Sequence, residues 1–105
     1  YIKNVARAFR DGHLDYAHLA RMSDDEVRGR LIAIKGVGPW TAEMFLIFAL
    51  GRADIFSPGD VGLQNAILHQ YKKKPTPALM SRLSRQWAPY RSYACRYLWK
   101  SLDNE

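Results

Sequence analysis

Two glycines one residue apart, Gly36 and Gly38, separate two apolar segments that are both patterned at helical spacing. The string Leu31-Ile32-Ala33-Ile34-Lys35-Gly36-Val37-Gly38-Pro39-Trp40-Thr41-Ala42 leaves room for one tight turn between two helices. Glycine reaches backbone angles that other residues avoid, and Pro39 suits the first turn of the helix that follows. The string therefore predicts a hairpin over 31–42 that presents backbone N–H groups at a helix start. Such a start attracts anions, because it carries unpaired donors and the positive end of the helix dipole. Taken alone, a Gly-x-Gly between helices also describes an ordinary helix–turn–helix joint. One carboxylate, Asp60, stands a helix and a loop further on, just past Pro58.

The remaining pattern is helical throughout. Ile2, Val5, Ala6 and Phe9 recur at helical spacing, with Gly12 as a C-cap. Leu14 to Ala20 predicts a short helix with Tyr16, Leu19 and Ala20 facing inward. Ser23-Asp24-Asp25-Glu26 has the form of a capping box. The helix it opens carries Val27, Leu31 and Ile34 on one side and is expected to end at Gly36. Thr41 to Leu50 is apolar nearly all round, which predicts a buried central helix closed by Gly51. Arg52 to Gly59 reads as a loop, and Asp60 as the N-cap of a helix through Tyr71 with Leu63, Ile67 and Leu68 inward. Thr76 before Pro77 opens a helix to about Trp87. Pro89 opens the last helix, whose Tyr90, Tyr93, Tyr97, Leu98 and Trp99 are expected to pack it against the central one. Nothing reads as a strand, so the fold class is all-α.

A chain of 105 residues, 48% of them hydrophobic, is enough for one domain with a core. The net charge of +6 favours an anionic partner, and its distribution sharpens the point. No Asp or Glu lies between Val61 and Leu102, where Lys72, Lys73, Lys74, Arg82, Arg85, Arg91, Arg96 and Lys100 all fall. A one-signed half of this kind is the usual footprint of nucleic-acid binding; a solvated basic surface is the plain alternative. Cys95 is the only cysteine, which excludes an internal disulfide, a cysteine-based zinc site and a cysteine-ligated iron–sulfur cluster. His13, His18 and His69 show no ligand spacing, so no metal site is expected. No apolar run reaches the roughly 20 residues that span a bilayer, so no membrane partner is expected. Neither an initiator Met nor a leader opens the chain, which is expected to be a piece of something longer.

The full string Leu-x-x-Ile-x-Gly-Val-Gly-Pro-Trp-Thr-Ala resembles the helix-hairpin-helix motif of the base-excision DNA glycosylases. Asp60 matches the Gly/Pro-Asp signature of that superfamily. Met44-Phe45-Leu46, Leu50-Gly51-Arg52 and Trp87-Ala88-Pro89-Tyr90-Arg91-Ser92 resemble its DNA-3-methyladenine glycosylase II, or AlkA-like, branch. The resemblance covers nearly all of residues 1–105 and implies one partial helix-hairpin-helix glycosylase domain, with the hairpin at 31–42 and the catalytic loop at 56–60. It implies that only the C-terminal part of the full domain is present, the N-terminal half lying in the same protein or a partner chain. Weak DNA binding and little activity are expected of this piece alone.

What the resemblance implies chemically is a monofunctional N-glycosylase releasing alkylated purines of the 3-methyladenine type from double-stranded DNA. The damaged base is flipped out of the stack. Gly36, Val37, Gly38 and Thr41 would grip a DNA phosphate, sometimes with a monovalent cation on hairpin carbonyls and no other cofactor. Asp60 would be the catalytic residue, and Trp40, Met44 and Trp87 would line the base. One carboxylate suffices physically. Breaking the bond from sugar to base builds positive charge on the sugar, and a fixed negative group stabilises that charge more in the transition state than before it. An alkylated purine is already cationic and leaves without a strong acid. Strand-cleaving relatives carry a Schiff-base Lys at the position of Trp40, and Lys35 lies on the wrong side of the glycines, so lyase activity is not expected. An indole instead stacks on a cationic base for ~0.5 to 2 kcal/mol. Gly59 replaces the first of two aspartates usual in relatives, leaving Asp60 as the second. Arg91 is expected to anchor an ion pair or backbone. An intracellular location follows, in the cytoplasm or nucleoid of a bacterium or the nucleus of a eukaryote. The rival reading is a non-catalytic helix-hairpin-helix module that grips DNA backbone, which needs the hairpin and the basic half but not Asp60.

Overall fold

Side-chain caps and prolines set most of the helix starts. In the computed structural model, which describes residues 2–103, the order is α1 (Ile2–Arg10), α2 (Tyr16–Ala20), α3 (Asp24–Ile32), α4 (Pro39–Met44), α5 (Val61–Tyr71), α6 (Pro77–Trp87) and α7 (Arg91–Asp103). No strand occurs among the described residues. Asp15, Ser23, Asp60 and Thr76 each accept a first-turn N–H, and Pro39 and Pro77 occupy the first turns of α4 and α6. No helix among the described residues is long and apolar enough to cross a membrane.

The α3 cap is the reciprocal box that its sequence predicts. Glu26 N–H donates to Ser23 Oγ and Ser23 N–H donates back to Glu26 Oε1, both at 3.2 Å. The bond from the Ser23 backbone, then that from its hydroxyl, holds the Glu26 carboxyl below its ordinary value of 4.5. A lowered folded-state value means that this stabilisation is complete above the ordinary value and is lost as the pH falls through the lower one. Ser23→Ala is expected to cost about 1 kcal/mol at neutral pH. It should also flatten the acid limb of stability, as denaturant titrations at several pH values will show.

The chain divides after Gly51 into two compact units. In the first, Leu19, Val27, Leu31, Ala42 and Leu46 are sealed from solvent, and Phe9 stacks on Phe45 with centroids 6.1 Å apart. The side chain of Ile2 lies outside the described atoms. Of the residues expected to turn inward on α2, only Leu19 does so. Tyr16 and Ala20 are exposed, and the Tyr16 hydroxyl donates to Ala49 O at 2.7 Å. A helix of five residues has too little length to bury a stripe. The segment Thr41–Leu50 also departs from expectation. Beyond Met44 the helix widens into π-helical turns over Phe45–Ala49, closed by Leu50 N–H on Phe45 O at 3.1 Å. Ala42, Leu46 and Ile47 are buried, whereas Phe48 is 58% exposed. An apolar pattern all round says which residues favour burial; it does not supply a surface for every side.

The second unit packs α5 and α6 against α7 around Leu63, Ala66, Ile67, Leu83, Cys95 and Leu98. Ser92, Cys95 and Leu98 follow at helical spacing and form the inward stripe of α7. Tyr93 and Tyr97 are therefore turned to solvent, as is Tyr90 in the turn before α7, and the three do not perform the packing expected of them. Leu68 is likewise exposed, because it lies about 100° around the helix from buried Ile67.

Candidate functional site: the Asp60 loop and the glycine hairpin

The loop leading to Asp60 is pinned from α7 along its first half, at Ala53, Asp54 and Ile55. Ser92 N–H donates to Ala53 O at 3.0 Å, Arg91 N–H to Asp54 Oδ1 at 3.2 Å, and Ile55 N–H to Ser92 Oγ at 2.8 Å. Arg91 Nε donates to Ser84 O at 2.8 Å and lies 3.6 Å from Asp54 Oδ1, so Arg91 anchors both backbone and carboxylate as its position suggested. Ile55 and Ser57 are 0% exposed, which is unusual for a connecting segment and makes this one part of the core. The last turn closes with Asp60 N–H on Ser57 O at 3.2 Å and Gln64 Nε2 on Pro58 O at 2.8 Å.

Asp60 is thus delivered to the N-terminus of α5 on a rigid support. Its Oδ2 accepts Leu63 N–H at 2.7 Å and Trp99 Nε1–H, also at 2.7 Å. Both bonds have the short length expected of donors on a carboxylate. The residue is half-buried, neither sealed in the core nor fully solvated. Chemically, this is a preorganised negative group whose position costs nothing to establish when a positive charge develops nearby.

The hairpin in the first unit forms where the glycines place it. α3 stops at Ile32, earlier than the expected Gly36, because the chain tightens there. Ile34 N–H bonds Leu31 O at 3.0 Å and Val37 N–H bonds Ile34 O at 3.1 Å. Gly36 takes φ +89°, a left-handed value that a side chain would strain. Gly38 is the N-cap of α4 with φ −103° and no side-chain cap, and Val37 anchors the turn in the core at 6% exposure. A Cβ built on Gly38 meets nothing within 4 Å, so that glycine answers to no packing need within the chain.

The aromatic candidates are differently placed. Trp40 is 46% exposed on α4, and Met44 is half-buried one turn further along. Trp87 packs into the second unit beside Phe56, ring centroids 5.9 Å apart. It also lines a cavity of about 310 Å³ with Gln70, Tyr71, Ala94, Tyr97 and Leu98. The indole whose N–H reaches Asp60 is that of Trp99, a residue that the helical pattern assigns to packing. A tryptophan thirty-nine residues from an aspartate leaves no local pattern that could have paired them. Lys73, Lys74, Arg82 and Arg85 line a basic groove of about 500 Å³.

The chain is similar to solved structures of DNA glycosylases. A DNA-3-methyladenine glycosidase of Bacillus halodurans matches 96% of this chain and 48% of its own length, with TM-score 0.80 and 42% identity. The 3-methyladenine DNA glycosylase Mag1 of Schizosaccharomyces pombe, solved with abasic DNA, matches 93% of this chain and 49% of its own, with TM-score 0.83 and 37% identity. Among curated proteins, YfjP of Bacillus subtilis is 40% identical over 105 residues, which are 98% of this chain and 37% of the relative. No protein-family model matches the chain. The chain belongs to the AlkA-like family of helix-hairpin-helix DNA glycosylases. It spans between a third and a half of the length of the curated relatives it matches here.

Proposed function

We propose that the protein carrying this chain is a base-excision glycosylase that hydrolyses the N-glycosidic bond of alkylated purines in double-stranded DNA and leaves the strand uncut. The observation that carries this reading is a carboxylate, Asp60, held by two 2.7 Å hydrogen bonds in a chain of this family. As the base leaves, positive charge grows on the sugar, and the fixed carboxylate lowers the barrier by being in place beforehand. It also orients the attacking water.

Gly36, Val37, Gly38 and Thr41 take a DNA phosphate at the uncapped start of α4, where the open space beside Gly38 admits an approaching backbone. Carbonyl oxygens of a tight turn suit a monovalent cation, and Gly36 at φ +89° gives the hairpin such a turn. The cation, when bound, supplies positive charge beside the phosphate. Trp40 and Met44 are the base-facing candidates of the first unit, and Trp87 is that of the second. Trp40 cannot form a Schiff base, so the reaction stops at an abasic site. The rest of the relatives' length supplies further contacts to DNA and base, in the same protein or in a partner chain, and the enzyme works where the genome is kept. The test is chromatographic identification of the bases that the whole protein releases from DNA treated with a methylating agent. Alkylated purines over an intact strand are expected; no released base, or strand scission without added alkali, would reject the reading.

A further inference from the structure

The bond from Trp99 to Asp60 exceeds what a helix cap needs. An N-cap carboxylate is served by a first-turn amide, and Leu63 N–H already supplies that at 2.7 Å. The second donor comes from α7, and its ring is pinned because Trp99 packs against the core of the second unit. Indole Nε1 only donates, so the contact has one polarity. The torsion that orients an aspartate's carboxylate is broad, so a donor arriving from another element, at an angle to the Leu63 bond, narrows the plane it takes.

Gly62 is what lets that donor in. A Cβ built there would lie 3.2 Å from Asp60 Oδ2, 3.5 Å from Trp99 Cδ1 and 3.6 Å from Trp99 Nε1. Its backbone is not left-handed, so the helix itself makes no demand for glycine at this position. The missing side chain instead keeps clear the space in which carboxylate and indole meet.

We propose that Trp99 is a positioning residue for Asp60, admitted by Gly62, and that its N–H sets the plane in which the carboxylate meets the charge on the sugar. The proposal rests on the catalytic reading of Asp60. Misplacing a reacting group by about 1 Å costs on the order of a hundredfold in rate, so a lost orienting bond will be measurable.

The test compares the whole protein's affinity for DNA carrying a cationic pyrrolidine abasic analogue with its affinity for the neutral tetrahydrofuran analogue. Wild type should prefer the cationic one. Trp99→Phe should lower that preference about tenfold, as expected for a bond to a charged group, and leave the tetrahydrofuran affinity and the thermal midpoint nearly unchanged. Gly62→Ala should lower it less while the helix holds or gains stability, since alanine is the better helix former. Asp60→Asn should abolish the preference, and adding Trp99→Phe to it should change nothing more. If Trp99→Phe keeps the full preference, or weakens both analogues equally, the positioning role is overturned while the catalytic reading stands. If Asp60→Asn itself keeps the preference, the catalytic reading fails and takes this proposal with it.

Discussion

Asp60→Asn in the whole protein should slow release of methylated purines by about a thousandfold or more, the scale on which fixed electrostatic groups act in transition states. It should leave binding to abasic-site DNA nearly unchanged. Asn caps a helix about as well as Asp, and its amide oxygen can still accept the bonds from Leu63 N–H and Trp99 Nε1–H that Oδ2 accepts at 2.7 Å. The substitution therefore removes the charge and little else. Single-turnover excision assays beside equilibrium binding will separate the two readings of this chain. A backbone-gripping module loses nothing when Asp60 becomes neutral; a glycosylase loses its reaction. Normal excision by the variant would refute the enzymatic account outright.

The parts of this molecule that were legible in the sequence are those governed by neighbours in the chain. The caps at Ser23, Asp60 and Thr76 formed where expected, since each is decided within four residues. The glycine turn after α3 is of the same kind. Periodicity was less reliable where it lacked a partner. Tyr93 and Tyr97 share α7 with Ser92, Cys95 and Leu98, and only the second set is buried. The support beneath Asp60 was illegible for a different reason. Ile55 pairs with Ser92 across thirty-seven residues and Asp60 with Trp99 across thirty-nine, and no spacing rule joins such distant positions. What read as an ordinary loop broken by Pro58 is instead the most buried connection of the second unit.

That burial makes Ile55 the residue on which the loop's rigidity turns. Ile55→Ala should destabilise the protein by roughly 2 to 5 kcal/mol, because it removes a fully buried aliphatic side chain and leaves a cavity that surrounding helices close only in part. The side chain is 0% exposed, with the Cys95 sulfur 4.0 Å from its carbonyl oxygen and the Ser92 hydroxyl 2.8 Å from its amide nitrogen. Denaturant titration followed by tryptophan fluorescence will read the loss. Ser92→Ala strikes the same loop from its polar side, leaving the Ile55 N–H buried without that acceptor at a cost of about 1 to 3 kcal/mol. Because the two residues hold one segment, the double variant should lose less than the sum of the single losses. Full additivity would mean that the loop is not a single braced element, and the rigid delivery of Asp60 to the start of α5 would lose its structural basis.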